Sequence, residues 1–223
     1  MFAVLIANGH LMPCCAGIVL CGGRSQRMGR EKATLPFGDE FLLQRVVRLL
    51  GAVANPIVVV AAGLQQLPAL PDEVMIARDE QPDLGPLQGI HAGVERLGDG
   101  GTLAYITSCD VPFLQAEFVR LLAARADDVD VVIPRDRQFH HPLAAIYRVA
   151  AIRPRIAKLL ASGRRRPLCL LEGLRVRQID VAELQAVDPQ LDTLVNLNYP
   201  EEYARAIARI AAPLPSAVSA GER

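Results

Sequence analysis

A pair of glycines followed by several basic residues stands near the start of the chain. Gly22 and Gly23 end an apolar run, "IVLC", and Arg24, Arg27 and Lys32 come after them. Consecutive glycines let the backbone approach a ligand closely, and their N–H groups can form a concave site for an anion. The basic side chains add full charges, so the segment predicts a polyphosphate-binding loop. It is neither a P-loop nor a dinucleotide fingerprint, and the alternative is a tight turn with solvated arginines.

A single aspartate follows a second apolar run further along the chain. Asp110 lies in "TSCDVPFL", shortly before Pro112. Mg²⁺ is commonly held by one or two carboxylates together with phosphate oxygens of the substrate. The alternative role for this aspartate is a turn or helix-capping residue. Taken with the glycine loop, Asp110 favours a site for a metal-bound nucleotide.

The apolar runs that carry these residues alternate with segments of helical periodicity. Continuous β-branched runs predict strands buried on both faces, and apolar residues three or four apart predict helices. The predicted strands are 16–20, 55–62, 74–80, 102–110 and 129–134, and the predicted helices are 40–53, 86–97 and 114–126. This order predicts a Rossmann-like, three-layer α/β/α fold with a mostly parallel central sheet. Ligands of such sheets bind beyond the carboxyl ends of the strands, where both Gly22 and Asp110 would lie.

After residue 134 the alternation of strand and helix patterns is less regular, so we expect one domain with two halves. The second half contains a strand entering a helix (140–150), a helix that stops near Gly163, an alternating strand (174–180) and a helix from about Pro200. We therefore expect an N-terminal extension at 1–15, one domain at 16–212 and a disordered tail at 213–223. The two halves are residues 16–134, which carry the glycine loop and Asp110 and are the expected nucleotide-binding half, and residues 135–212.

Composition excludes some classes of partner. Lys and Arg total 24, as do Asp and Glu, so no net field draws the chain to nucleic acid or to a membrane surface. No segment reaches membrane-spanning length, and the apolar N-terminus lacks the basic region of a signal peptide. It predicts a short extension, with a weak signal peptide as the alternative and Met12 as a second candidate start. The odd count of five cysteines, without metal-ligand spacing, predicts reduced thiols in the cytoplasm.

Five segments resemble the motifs of one enzyme family, and they occur in the same order along the chain as in that family. The first, "LCGGRSQRMGREKA", resembles the signature L-x-G-G-x-S-x-R-M-G-x-x-K of the MobA-like nucleotidyltransferases. The others are "DLGPLQGIHAG", "CDVPFL", "HHPLAAIY" and "LVNLNYPEE", and together they span residues 16 to 205. The glycine pair and the N-x-N-x-P-E segment are most similar to the molybdenum cofactor guanylyltransferase branch of that family.

The resemblance implies a reaction and a set of residues. The reaction is the transfer of GMP from GTP to the phosphate of Mo-molybdopterin, which releases pyrophosphate, requires Mg²⁺ and gives the guanine dinucleotide cofactor. By position, Lys32, Arg27 and Asp110 would be catalytic, with Asp110 as the metal ligand. The implied nucleotide-binding residues are Leu20, Cys21, Gly22, Gly23, Arg24, Ser25, Lys32, Asp79 and Gly85.

The resemblance also implies that residues 135–212 form the half that binds the pterin substrate. Four further residues there are candidates for binding it: His141, Arg165, Asn196 and Asn198. Each also has a simpler interpretation. The pair His140-His141 is equally typical of exposed residues at a strand start. The run Arg164 to Arg166 is typical of a solvated loop, although an anionic substrate would suit it. The asparagines could hydrogen-bond their own backbone in a turn.

Departures from the family pattern leave the nucleobase open. Cys21 stands where alanine is usual, Ala61 where some members carry asparagine, and Tyr199 where threonine is common. The departures do not bear on the reaction class. The alternatives kept beside the guanylyltransferase are a CTP:molybdopterin cytidylyltransferase, a sugar-phosphate nucleotidyltransferase, and a catalytically silent nucleotide-binding regulator. Other proteins of molybdenum cofactor biosynthesis, and the enzymes that accept the cofactor, are the implied protein partners. Neither the oligomeric state nor the acceptor enzyme follows from the sequence.

Overall fold

A computed structural model describes residues 14–22, 28–81, 84–98 and 102–211, together with the backbone of 6–7 and 10–11. Within the expected N-terminal extension, Ile6–Ala7 pairs with His10–Leu11 in a short antiparallel ladder. The first strand of the core starts at Cys15, one residue earlier than predicted, and the backbone N–H of Cys14 already donates to the carbonyl of Val53. The predicted tail at 213–223 lies outside the described residues.

A seven-stranded sheet forms the centre of the fold. Its strands, numbered in chain order, are β1 (Cys15–Leu20), β2 (Ala54–Ala62), β3 (Met75–Asp79), β4 (Leu103–Ser108), β5 (Val131–Arg135), β6 (Ala145–Arg148) and β7 (Val176–Asp180). Their order across the sheet is β7-β5-β6-β4-β1-β2-β3. Only β6 is antiparallel to its neighbours in this sheet, β4 and β5. The prediction of a mostly parallel sheet is confirmed.

Helices cover both faces of the sheet, as predicted. They are α1 (Leu42–Gly51), α2 (Pro86–Leu97), α3 (Ala116–Ala123), α4 (Val149–Ala161), α5 (Val181–Leu184) and α6 (Pro200–Ala211). Three 3₁₀ turns (Lys32–Thr34, Pro167–Leu171 and Asp192–Leu194) and a small ladder between Pro36–Phe37 and Glu40–Phe41 complete the described elements. No helix in the described part of the chain has both the length and the apolar character needed to cross a membrane.

The central strands alternate their side chains between two separate apolar cores. Helices α1 and α3 pack on the face that carries Val19 and Val59, and α2 and α4 pack on the face that carries Ile18 and Val58. All six residues of β1 are buried. Burial on both faces explains why β1 and β2 have continuous apolar sequences.

Glycines allow helices to lie close to the sheet on each face. A Cβ atom added to Gly93 of α2 would lie 2.6 Å from Cγ2 of Ile18 and 3.0 Å from Cγ2 of Val60. On the other face, a Cβ atom on Gly17 would lie 2.7 Å from Cδ2 of Leu50. The close approach of α2 matters for function because the first turn of this helix reaches the carboxyl edge of the sheet.

The substitution Gly93→Ala is expected to lower the free energy of unfolding by about 1–3 kcal/mol, because the core must shift to admit the methyl group. This loss outweighs the gain in helix propensity of about 1 kcal/mol. Urea denaturation measures it. Gly51→Ala is the matched control: its Cβ would lie 3.8 Å from Ile57, an ordinary contact, so stability should not fall. Equal loss in both variants would contradict the packing argument.

Candidate active site

The carboxyl ends of β1, β3 and β4 meet the start of α2 around one cavity. It has a volume of about 160 Å³ and is lined by Leu20, Gly22, Val60, Asp79, Gly85, Pro86, Gly89, Ser108 and Leu143. Four of the nucleotide-site candidates from the sequence, Leu20, Gly22, Asp79 and Gly85, therefore share one cavity. Cys21 is buried beside it and is not among the lining residues.

The glycines of this cavity keep the backbone open to a ligand. Gly85 has a φ of +85°, which other residues rarely adopt, and Pro86 follows it as the first residue of α2. A Cβ atom on Gly89 would lie 3.4 Å from Leu20, so the helix packs directly on the end of β1. The helix N-terminus, which carries a partial positive charge, opens on the cavity.

Asp79 supplies a buried carboxylate at the end of β3. Its side chain is almost completely buried, and Oδ1 accepts a hydrogen bond of 2.9 Å from the N–H of Gln81. This bond fixes the side chain where it faces the cavity. A fixed carboxylate is suited to accept hydrogen bonds from a hydroxyl or an amine of a bound nucleotide.

Lys32 and Asp110 form an ion pair at the same edge of the sheet. Nζ of Lys32 donates to Oδ2 of Asp110 at 2.6 Å and to Oδ1 of Asn198 at 2.9 Å. The side chains of Lys32 and Asp110 are only 15% and 9% exposed, so water screens their interaction weakly. The structure thus brings three predicted site residues into direct contact.

The other oxygen of Asp110 is held by two neutral side chains. Nδ2 of Asn196 donates to Oδ1 of Asp110 at 2.9 Å, and it also lies 3.2 Å from Oγ of Ser108. The hydroxyl of Ser108 itself donates to Oδ1 of Asp110. Ser108 was missed from the sequence, although its place two residues before Asp110 along a strand was a signal that both could reach the same site.

The segment that carries the asparagines is fixed to the sheet and to α6. The N–H of Leu197 donates to the carbonyl of Asp110 at 2.9 Å. Oε2 of Glu202, in the first turn of α6, accepts from the N–H of Asn198 at 2.7 Å and of Tyr199 at 3.1 Å. These bonds set the positions of both asparagines without using their side chains.

This arrangement suits a hard cation. Oδ2 of Asp110 and Oδ1 of Asn198 converge on the ammonium group of Lys32, and carboxylate and amide oxygens are the ligands that Mg²⁺ prefers. Within residues 14–22, 28–81, 84–98 and 102–211, no group of three or more His, Cys, Asp or Glu could hold a metal ion. A divalent cation here would therefore have few protein ligands and would share its coordination with water or with phosphate oxygens of a substrate.

The four pterin candidates make their contacts at three places. Asn196 and Asn198 contact Asp110 and Lys32, as described above. Nε2 of His141 lies 3.2 Å from Oδ2 of Asp136, in the turn between β5 and β6. The carbonyl oxygen of Arg165 lies 3.6 Å from the position of a Cβ atom on Gly85, so this exposed residue borders the nucleotide cavity.

The remaining predicted residues are Arg164, in the basic run, and the loop residues that follow Gly22 in the sequence. Arg164 pairs with Glu172, whose carboxylate raises the pKa of the arginine, so this member of the basic run is engaged within the protein. Gly23, Arg24, Ser25 and Arg27 lie outside the described residues, and their assignment stays a prediction.

Cys21, the cysteine beside this cavity, has no signature of a reactive thiol. The five cysteines, all within the described residues, are free. The pKa of Cys21 is raised well above its usual range, mainly by burial and to a smaller extent by the neighbouring Cys109 thiol. A buried thiol that stays protonated is a poor nucleophile, so the chemistry of the site rests on its charged and amide groups.

Comparison with known proteins places this site in a family context. Residues 17–179 match the family model of the MobA-like NTP transferase domain. A protein of Mycobacterium tuberculosis named "Probable molybdenum cofactor guanylyltransferase" is 40% identical over 173 residues, covering 75% of this chain and 84% of the relative. A protein of the same name from Mycobacterium marinum is 36% identical over 185 residues, covering 79% of this chain and 90% of the relative.

Solved structures share the fold. Molybdopterin-guanine dinucleotide biosynthesis protein A from Archaeoglobus fulgidus superposes with a TM-score of 0.71 at 24% identity, covering 87% of this chain and 98% of the other. The 2-C-methyl-D-erythritol 4-phosphate cytidylyltransferase of Thermus thermophilus superposes with a TM-score of 0.64 at 15% identity, covering 87% of this chain and 98% of the other. At these identities the likeness concerns the fold alone.

Proposed function

Because the chain belongs to the MobA-like NTP transferase family, and is a nucleotidyltransferase, we propose that it transfers GMP from GTP to the phosphate of Mo-molybdopterin. The α-phosphorus of GTP forms a new bond to the acceptor phosphate oxygen, and its bond to the leaving pyrophosphate breaks. The products are the guanine dinucleotide form of the cofactor and pyrophosphate. The names of the relatives and the contents of the site support this proposal.

One observation carries the proposal: the ion pair of Lys32 and Asp110 stands at the same sheet edge as the cavity of Gly22, Asp79 and Gly85. Transfer to a phosphate acceptor brings two anions together, so catalysis depends on positioning and on neutralising charge. Lys32 would bind the triphosphate and stabilise the charge that develops on the leaving pyrophosphate.

Asp110 and Asn198 are the residues that would hold Mg²⁺. When bound, this ion would neutralise the negative charge of the phosphates. Ser108 and Asn196 keep the carboxylate of Asp110 in one orientation through their bonds to Oδ1. Fixed geometry of this kind lets the site act without reorganising during the reaction.

The acceptor is expected to approach from the second half of the domain. Asn196, Asn198, Arg165 and His141 stay candidates for its recognition, with the asparagines nearest to the charged pair. We propose the cytoplasm as the location and proteins that make or receive the molybdenum cofactor as partners. Neither nucleic acid nor membrane is among the proposed partners.

We predict that GTP is used in preference to CTP by about 10²-fold. Each buried polar group left unpaired by the wrong base costs roughly 1–3 kcal/mol, and the backbone around Leu20 and the Asp79 carboxylate offer two or three such groups. The test is competition between equal GTP and CTP with Mo-molybdopterin, with the product identified by mass spectrometry. A predominant cytosine product would instead assign the chain to the cytidylyl relatives.

The same assay separates the remaining alternatives. A sugar-phosphate nucleotidyltransferase would release pyrophosphate with a sugar phosphate and not with Mo-molybdopterin. A silent regulator would bind nucleotide and release no pyrophosphate with either acceptor. The paired Lys32 and Asp110 favour turnover, because nucleotide binding alone does not require a second charged group facing the phosphates.

A further inference from the structure

Every polar atom of the Asp110 carboxylate has a partner within the protein. Oδ1 accepts from Asn196 and Ser108, and Oδ2 accepts from the ammonium group of Lys32. The ammonium also bonds to Oδ1 of Asn198. The oxygens that suit a divalent cation are therefore already bound to a cation that belongs to the chain.

A divalent cation bound to Oδ2 of Asp110 would lie close to the ammonium group of Lys32. Nζ of Lys32 lies 2.6 Å from this oxygen, and Mg²⁺ binds oxygen at about 2.0–2.1 Å. Two positive ions at such distances from one atom would repel each other strongly in a site with little water. Movement of Lys32 away from Asp110 would therefore strengthen the binding of a divalent ion at this oxygen.

We propose that Lys32 and a divalent cation occupy the oxygens of Asp110 and Asn198 in turn, and that the triphosphate of the nucleotide draws Lys32 away. The side chain of lysine is flexible, and its ammonium can exchange one oxygen partner for another. Phosphate oxygens offer it such partners at the same edge of the sheet. Metal binding is then weak without nucleotide and strong with it, which is a positive coupling between the two ligands.

The inference rests on the proposed function only in taking a nucleoside triphosphate as the group that binds Lys32. Its consequence for the free protein can be measured without any reaction. Lys32 and Lys158 are the only lysines in the sequence, and Lys158 lies in α4, away from the contacts of Asp110. Lys158 is therefore a matched control for removing one lysine charge.

The experiment measures Mn²⁺ binding to the full chain, without nucleotide, by electron paramagnetic resonance and calorimetry. Lys32→Met is expected to tighten Mn²⁺ binding by at least about tenfold, because both a competitor and a repelling charge are removed. Lys158→Met should bind Mn²⁺ as the unsubstituted protein does. Lys32→Gln, which retains a polar end without the charge, should behave like Lys32→Met and gives a second variant if Lys32→Met does not fold.

A double variant locates the effect. Adding Asp110→Asn to Lys32→Met should abolish the gain in Mn²⁺ affinity. Unchanged affinity in folded Lys32→Met or Lys32→Gln would overturn the proposal, as would an equal gain in Lys158→Met or a gain that survives Asp110→Asn. Failure of the chain to transfer GMP would reject the proposed function and leave these binding results as they stand.

Discussion

Replacing Asp110 with asparagine is expected to lower kcat/KM for nucleotidyl transfer by about 10³-fold, the upper end of the loss seen when one electrostatic contact to a transition state is removed. Asparagine is nearly the same size, so the fold should survive. It cannot supply the negative charge that pairs with Lys32 and would hold a divalent ion. Pyrophosphate release, followed at saturating and at low GTP, measures the loss.

Two controls accompany this variant. Thermal unfolding tests whether the buried position tolerates the amide. Asp128→Asn removes an exposed carboxylate that pairs with Arg177 on the surface, and it should leave turnover unchanged. Full activity of Asp110→Asn in the presence of Mg²⁺ would remove Asp110 from the catalytic machinery.

Lys32→Ala is expected to lower kcat/KM by about 10²–10³-fold, since the ammonium group would stabilise charge on the leaving pyrophosphate. The effect should fall on kcat as well as on the KM for GTP, because the developing charge is greatest in the transition state. Steady-state kinetics with each substrate varied in turn measures the two parameters. The same substitution would remove the competitor for Asp110, so its metal affinity and its activity should change in opposite directions.

Lys158→Ala, at the other lysine of the chain, should retain the full rate. A Lys32→Ala variant that altered only the KM for the pterin substrate would show that the lysine contacts the acceptor. In that case the triphosphate would need a different cation, and Arg27 would be the first to test.

Much of the sheet could be predicted because buried strands have a distinctive composition. The run "IVVV" inside β2 and the apolar residues of β1 have no polar face, which marks them as central strands. The antiparallel direction of β6 was harder to predict, because the residue pattern of a strand does not depend on whether it pairs in parallel or antiparallel. Its short connection to β5, with no room for a crossover helix, was the available signal that the two strands are antiparallel.

The site could be predicted in part. Gly22 and Asp110 each follow an apolar strand, so their place at one edge follows from the topology of a parallel sheet. The contact between Asn196 and Asp110 joins residues 86 positions apart and depends on the path of a largely irregular segment. Local patterns do not encode such a path, which is why the asparagines were assigned only to the acceptor.

The docking of Leu197 on the carbonyl of Asp110 also bears on how the protein is made. Strands β1 to β4 precede Asn196 and Asn198 in the chain, as do the residues that line the nucleotide cavity, so they are synthesised before the asparagines. A nascent chain can therefore assemble the cavity before it has the groups that orient Asp110 and bind Lys32. Incomplete translation products, and chains clipped by a protease ahead of Asn196, would lack the finished site even with the sheet in place.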